Sequence, residues 1–214
     1  VHLIANLDEP LQVLGLGIVR CRRRDLLEVR QGLGPIGVVV EELAQDVVVL
    51  VLEALAEADG TVISASRNLE ANEEAAGKLK LRGLEVHAMQ VDQGNHQSVL
   101  QLKEEIKGKF GTLDVFINNS VSRPMTRYED PLQAWEESMK INATGMFDIV
   151  REMADLMTQE RCGVIVNVGS IYGVFGPDFS LYEGMDMDVS PDYSFHKGGM
   201  VALTHYLARK LASR

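Results

Sequence analysis

From Thr61 onward the chain alternates short apolar runs with longer stretches of helical periodicity, and that alternation leaves few folds open. Continuous apolar runs bounded by turn residues read as strands buried on both faces, and the longer patterns read as crossover helices. Strands are predicted over 61–65, 85–91, 113–118 and 164–168, and helices over 68–80, 97–110, 131–158 and 194–212. Trp135, Met139, Met146 and Ile149 take the inner side of the long third helix. Right-handed crossovers then stack these units into a doubly wound α/β fold with a parallel sheet, whose ligands collect at the carboxyl ends of the strands.

Several chemistry-bearing residues fall at those ends. Asp92 follows the second of these strands, Asn119 the third and Ser170 the fourth. Beyond Ser170 lies Tyr193-Ser-Phe-His-Lys197. In a helix that begins after Pro191, Tyr193 and Lys197 project from one face. An ammonium beside a phenol favours the phenolate and moves a pKa of about 10 toward the range where general acid–base work is efficient. His87 and His196 read as ordinary packed or surface residues, because no partner at ligand spacing accompanies them.

The charge balance narrows the function classes. A net charge of −10 argues against a nucleic-acid or anionic-membrane binder, which needs a basic face. The basic run of Arg20, Arg22, Arg23 and Arg24 reads as a solvated face. Cys21 and Cys162 form neither a metal spacing nor a disulfide framework. No apolar run reaches the ~20 residues needed to span a bilayer, and no signal-peptide pattern opens the chain. Residues 1–214 are expected to form one domain in a cytoplasmic protein, without nucleic-acid or membrane partners.

Taken in order, Asp114-Val-Phe-Ile-Asn-Asn-Ser120, Lys140-Ile-Asn142-Ala-Thr-Gly145, Ser170 and Tyr193-Ser-Phe-His-Lys197 resemble the short-chain dehydrogenase/reductases over 49–214. The flanks are similar to the gluconate 5-dehydrogenase branch of that family. The resemblance implies a Rossmann-like fold and reversible hydride transfer between a nicotinamide cofactor and a secondary alcohol or ketone, with a sugar acid or polyol as substrate. It gives Tyr193 the role of proton donor and acceptor, and Ser170 that of hydrogen-bond donor to the reacting oxygen. Lys197 would hold the nicotinamide ribose and depress the Tyr193 pKa, and Asn142 would distort its helix to place a water that joins Lys197 to solvent. For the cofactor it implies Asp92 at the adenine amine and Asn119 against the adenosine ribose. Ser66 and Arg67 stand where an acidic residue would select NAD, so NADP is preferred, with NAD as the alternative. A homodimer or homotetramer paired through the two long helices is also implied.

The chain departs from this pattern in four places. Residues 1–48 diverge and carry no Thr-Gly-x-x-x-Gly-x-Gly turn. Either Gly32-Leu-Gly34-Pro-Ile-Gly37 makes the pyrophosphate turn ahead of a long helix over 38–58, or 46–51 is the first strand and the turn is missing. Val121 replaces the glycine expected after Ser120. The Ser170–Tyr193 connection is long, and its Phe179, Tyr182, Met185 and Met187 read as a lid. Finally, the family's last strand and Pro-Gly loop are absent from the sequence, which predicts an unpaired sheet edge, an exposed apolar face and weak cofactor binding. An inactive fragment, or a binding protein that keeps the fold without chemistry, is the alternative reading.

Overall fold

A computed structural model describes residues 16–20, 36–39, 45–158, 163–185 and 188–212. Its centre is one six-stranded sheet in the order β1-β6-β5-β2-β3-β4. The strands are β1 (Leu16–Arg20), β2 (Ile36–Val39), β3 (Val62–Ser66), β4 (Val86–Gln90), β5 (Val115–Asn118) and β6 (Val164–Val168). From β2 the chain builds outward through β3 and β4 on one side and through β5 and β6 on the other, all parallel. The order therefore reverses between β2 and β5, where Val39 lies opposite Asn118. In open α/β sheets such a reversal of order, at the carboxyl ends of the strands, is where ligands bind.

Helices cover both faces. On one side α1 (Gln45–Glu57) and α2 (Leu69–Lys80) bury Leu52, Ala56, Ala75 and Leu79 against Val62 and Val86. On the other, α3 (His96–Phe110), α5 (Met146–Thr158) and α6 (Pro191–Leu211) bury Leu102, Ile106, Ile149, Met153 and Leu207 against Ile63, Phe116 and Ile165. The local signals are the expected ones for such elements. Asn68 caps α2 by accepting the Ala71 amide at 3.1 Å, Asn95 caps α3 from Gln97 at 3.0 Å, and Pro191 starts α6 at a position whose N–H has no helical partner.

The element predicted over 131–158 is continuous but not uniform. Between α4 (Leu132–Met139) and α5 the six residues Lys140–Gly145 form a π-helical turn. Gly145 permits close approach there: a Cβ at this position would lie 2.3 Å from the Gln93 carbonyl oxygen. A buried polar ladder then ties β5, β6 and α6 together, because Asn118 donates to Asn167 Oδ1 and Asn167 donates to Thr204 Oγ1 at 3.0 Å.

Three expectations change. The run 46–51 is not a strand; it lies in α1, and Leu52 and Ala56 carry the buried stripe of that helix into the core. A short apolar run fits a buried helix as well as a buried strand, and Ile36–Val39 takes the central strand position instead. Gly37 therefore sits inside β2 and not in a turn, and no helix spans 38–58. Gly32 and Gly34 lie outside the described residues, as do Cys21, Arg22, Arg23, Arg24, Cys162 and Met187. The unpaired edge is also corrected, since β1 lies antiparallel along β6 with Leu16 opposite Val168 and Arg20 opposite Val164. A free row of β6 backbone groups accepts any suitable strand, and an N-terminal one satisfies it.

Candidate active site

The first turns of α6 concentrate the site. Tyr193 and Lys197 project from one face of this helix, with Lys197 Nζ 5.8 Å from the centre of the Tyr193 ring. Lys197 is buried, and its ammonium donates to the Val168 carbonyl at 2.6 Å, at the carboxyl end of β6. Burial, reinforced by the charge of Arg123, lowers its pKa to about 8. His196 packs edge-on against Tyr193 with ring centres 5.4 Å apart. It is buried with neither ring nitrogen hydrogen-bonded, and desolvation first, then the charge of Lys197, lowers its pKa to about 4.

Asn142 lies in the π-helical turn and is almost fully buried. Its carboxamide is fully committed: Oδ1 accepts the Ser122 amide at 2.8 Å, while Nδ2 donates to the Ser122 carbonyl at 2.7 Å and to Ser138 Oγ at 2.9 Å. Ser138 in turn donates to the buried carboxylate of Asp192 in the first turn of α6. One continuous path of hydrogen bonds thus joins the loop after β5, the π-helical turn and the helix that carries Tyr193.

Ser170 ends the β6 strand segment and caps the short 3-10 turn Ile171–Gly173, accepting the Tyr172 amide at 3.2 Å. Gly173 is where that turn meets α6. A Cβ there would lie 2.7 Å from the Lys197 carbonyl carbon, so only glycine lets the Ser170 segment approach the Tyr193 helix this closely. Further along, Tyr172 and Tyr182 are hydrogen-bonded through their hydroxyls, which closes the long connection on itself. Of the residues expected to form a lid, Tyr182 and Met185 line the cleft and Phe179 does not.

Ser170 and Tyr193 open onto one cleft of about 850 Å³, whose opposite wall carries Ser122, Arg123, Thr126 and Arg127. Asp130 stiffens that wall by accepting the Thr126 and Arg127 amides at 2.6 and 2.9 Å, bonds that also hold its carboxyl below its ordinary pKa. The Arg123 guanidinium lies 5.3 Å over the Tyr193 ring.

The other residues expected at the site sit at strand ends away from this cleft. Arg67 is exposed just after β3. Ser66 is committed locally, with Oγ 3.0 Å from Asn72 Oδ1 and accepting the Asn68 amide at 3.2 Å. Asp92, after β4, accepts the Gly94 amide at 2.9 Å, and Asn119 is half-buried directly after β5.

A family model described as short chain dehydrogenase matches residues 49–214. The chain belongs to the short-chain dehydrogenase family. It is 32% identical over 163 residues to an uncharacterized oxidoreductase of Thermotoga maritima, covering 76% of this chain and 60% of that protein. It is 30% identical over 169 residues to the 3-oxoacyl-[acyl-carrier-protein] reductase FabG of Aquifex aeolicus, covering 77% of this chain and 63% of that one. The chain thus spans less than two thirds of the length of these relatives. Among solved structures, an NAD⁺-bound xylitol dehydrogenase superposes with a TM-score of 0.70 at 23% identity, covering 86% of this chain and 67% of its own. A short-chain type dehydrogenase/reductase from Mycobacterium marinum superposes with a TM-score of 0.72 at 20% identity, covering 85% and 70%.

Measured against the needs of a nicotinamide cofactor, the donor set of this short-chain dehydrogenase fits at the nicotinamide end, where a buried Lys197 ammonium stands beside Tyr193. Arg67, Asp92 and Asn119 offer charge and polar groups at the ends of β3, β4 and β5 for the adenosine half. The pyrophosphate position differs. The connection from β2 to α1 is residues 40–44, whose sequence holds Glu41 and Glu42 and no glycine. Ser122, Arg123, Ser138 and Asp192 meet the site only through the fold, so no spacing in the sequence marks them together. Asp192 alone carried a local signal, as an acidic residue in the first turn of the tyrosine helix.

Proposed function

We propose that this chain carries the proton-transfer half of a reversible, nicotinamide-dependent interconversion of a secondary alcohol and a ketone. The observation that carries the reading is the pairing of Tyr193 with a buried Lys197 on one face of α6, with Ser170 and Tyr193 opening onto the same cleft. When bound, the cofactor supplies or accepts the hydride. Tyr193 gives a proton to the carbonyl oxygen in one direction and removes it from the alcohol in the other. Ser170 hydrogen-bonds the same oxygen and stabilises the negative charge that develops on it. Lys197 sets a positive charge beside the Tyr193 ring and binds the nicotinamide ribose. With a pKa of about 8 it is a cation at neutral pH, so reduction slows as pH rises through about 8 and that charge is lost. Asn142 fixes the π-helical turn, which places a backbone carbonyl for a water that relays protons from Lys197 to solvent.

The substrate is a sugar acid or polyol, in keeping with the branch that the flanking sequence resembles. NADP is the preferred cofactor, with NAD as the alternative. Arg67, exposed directly after β3, carries this preference. Asp92 and Asn119 contact the adenosine. The exposed Leu132, Phe147, Phe195 and Tyr206 on the long helices support a homodimer or homotetramer of single-domain subunits. Among the described residues no helix is long and apolar enough to cross a membrane, and a cytoplasmic enzyme is the reading that fits. Glu41 and Glu42 in the β2–α1 connection favour a second reading, in which the chain keeps the site but holds the cofactor too weakly for normal turnover.

The test is Tyr193→Phe, which deletes the proton donor and little volume. The substitution is expected to lower kcat by about 10²–10⁴-fold while cofactor affinity, followed by nicotinamide fluorescence, changes little. Retention of more than about a tenth of kcat would rule out Tyr193 as the general acid.

A further inference from the structure

We propose that the cleft selects a substrate bearing an oxyanion group, carboxylate or phosphate, and that Arg123 is the residue that selects it. This rests on the hydride-transfer reading for which end of the cleft reacts, and it goes beyond that reading in separating an acid from a neutral polyol.

The argument starts from charge. In a chain of net charge −10, exposed cations readily find carboxylates: Arg82 pairs with Glu53 at 2.7 Å, Arg151 with Asp148 at 2.7 Å, and Lys109 with Glu105 at 2.7 Å. Arg123 forms no ion pair with any described residue, and its recorded contact is the face of the Tyr193 ring. A guanidinium attracted to an aromatic face keeps a planar fork of N–H donors, which matches a carboxylate or phosphate bidentately. The two carboxylates on the cleft wall do not occupy that fork. Asp188 accepts the amide of Val189 at 2.7 Å, and Asp192 is buried and accepts the Ser138 hydroxyl.

Placement makes the cation selective and not merely present. Arg123 and Lys197 both lie within 6 Å of the Tyr193 ring centre, at 5.3 and 5.8 Å, so two positive charges stand close to the proton-exchanging side chain. Their mutual repulsion is visible in the lowered pKa of Lys197, to which Arg123 contributes after burial. An anion bound at Arg123 relieves that repulsion, whereas a neutral hydroxymethyl group in its place does not. Arg127 lines the same wall and adds to the potential.

The experiment compares three ligands built on one carbon skeleton: glucitol, gluconate, and glucitol phosphorylated at its terminal hydroxyl. Binding to the full chain is followed by calorimetry, for the unmodified protein and for Arg123→Ala and Arg123→Lys. At least one anion should bind about fivefold or more tightly than glucitol, a modest factor because the arginine is solvent-exposed. Arg123→Ala should bring the ratio of anion to glucitol affinity to about one, whatever its effect on glucitol itself, and Arg123→Lys should keep part of the preference. The tighter of the two anions identifies the group. Equal affinity for all three ligands, an anion preference that survives Arg123→Ala, or no detectable binding of either anion would each overturn the proposal. Anion preference without hydride transfer would sink the parent reading and leave this one standing; turnover of glucitol without anion preference would do the reverse.

Discussion

His196 is the residue where burial is least compensated. The residue is 3% exposed with both ring nitrogens lacking a hydrogen-bond partner, and its pKa falls from 6.5 to about 4. Between those values the unfolded chain binds a proton that the native chain refuses. The resulting stability is complete above pH 6.5 and is lost as pH falls toward 4, by roughly 3 kcal/mol. His196→Leu, of similar volume and without polar atoms, should flatten this acid dependence and be near neutral at pH 7. Urea unfolding midpoints across that range check it, and an equally steep acid loss in the variant would refute it. At this scale the sequence was only partly legible. Tyr193 and Lys197 could be paired because a helix repeats locally. Ser138 and Asp192 could not, because 54 positions separate them and only the packing of α4 against α6 joins them. Arg123 carried no local signal at all.

Elements explain why the site residues converge. β6 delivers Ser170, α6 delivers Tyr193 and Lys197, and the contact between them depends on Gly173, whose absent Cβ leaves room for the Lys197 backbone. Gly173→Ala forces the two apart by pushing backbone against backbone. The expected result is a kcat reduced by about tenfold to a hundredfold with far-UV circular dichroism unchanged, since displacements near 1 Å cost that much in positioned catalysis. An alanine variant with unaltered kcat would show that this contact does not set the geometry. The parallel strands from β3 to β6 and their helices were legible because continuous apolar runs and intervening helical periods are strong signals. The segment before β3 was not. The apolar run 46–51 suited strand and helix alike, and the pairing of β1 with β6 depends on a partner more than a hundred residues away. The π-helical turn was foreseen only through the family's Asn142; nothing in the hydrophobic period marks an extra residue in a turn.

For the molecule as a whole, the central proposal is that Tyr193, Ser170, Lys197 and Asn142 form a working proton-transfer site in a chain whose β2–α1 connection carries Glu41 and Glu42 and no glycine in its sequence. That combination predicts weak cofactor binding with the proton-transfer chemistry retained. Two carboxylates and no glycine in so short a connection are a poor composition for holding phosphate groups. The most direct measurement is isotopic, because label accumulates even when turnover is slow. The chain is incubated with a ketone derived from a sugar acid and with reduced nicotinamide cofactor carrying deuterium at the transferred position, and the alcohol product is analysed by mass spectrometry. Deuterium should appear on the carbinol carbon with the unmodified chain and fall by about a hundredfold or more with Tyr193→Phe at matched cofactor occupancy. No label transfer with cofactor demonstrably bound, or equal transfer by the two proteins, would contradict the account.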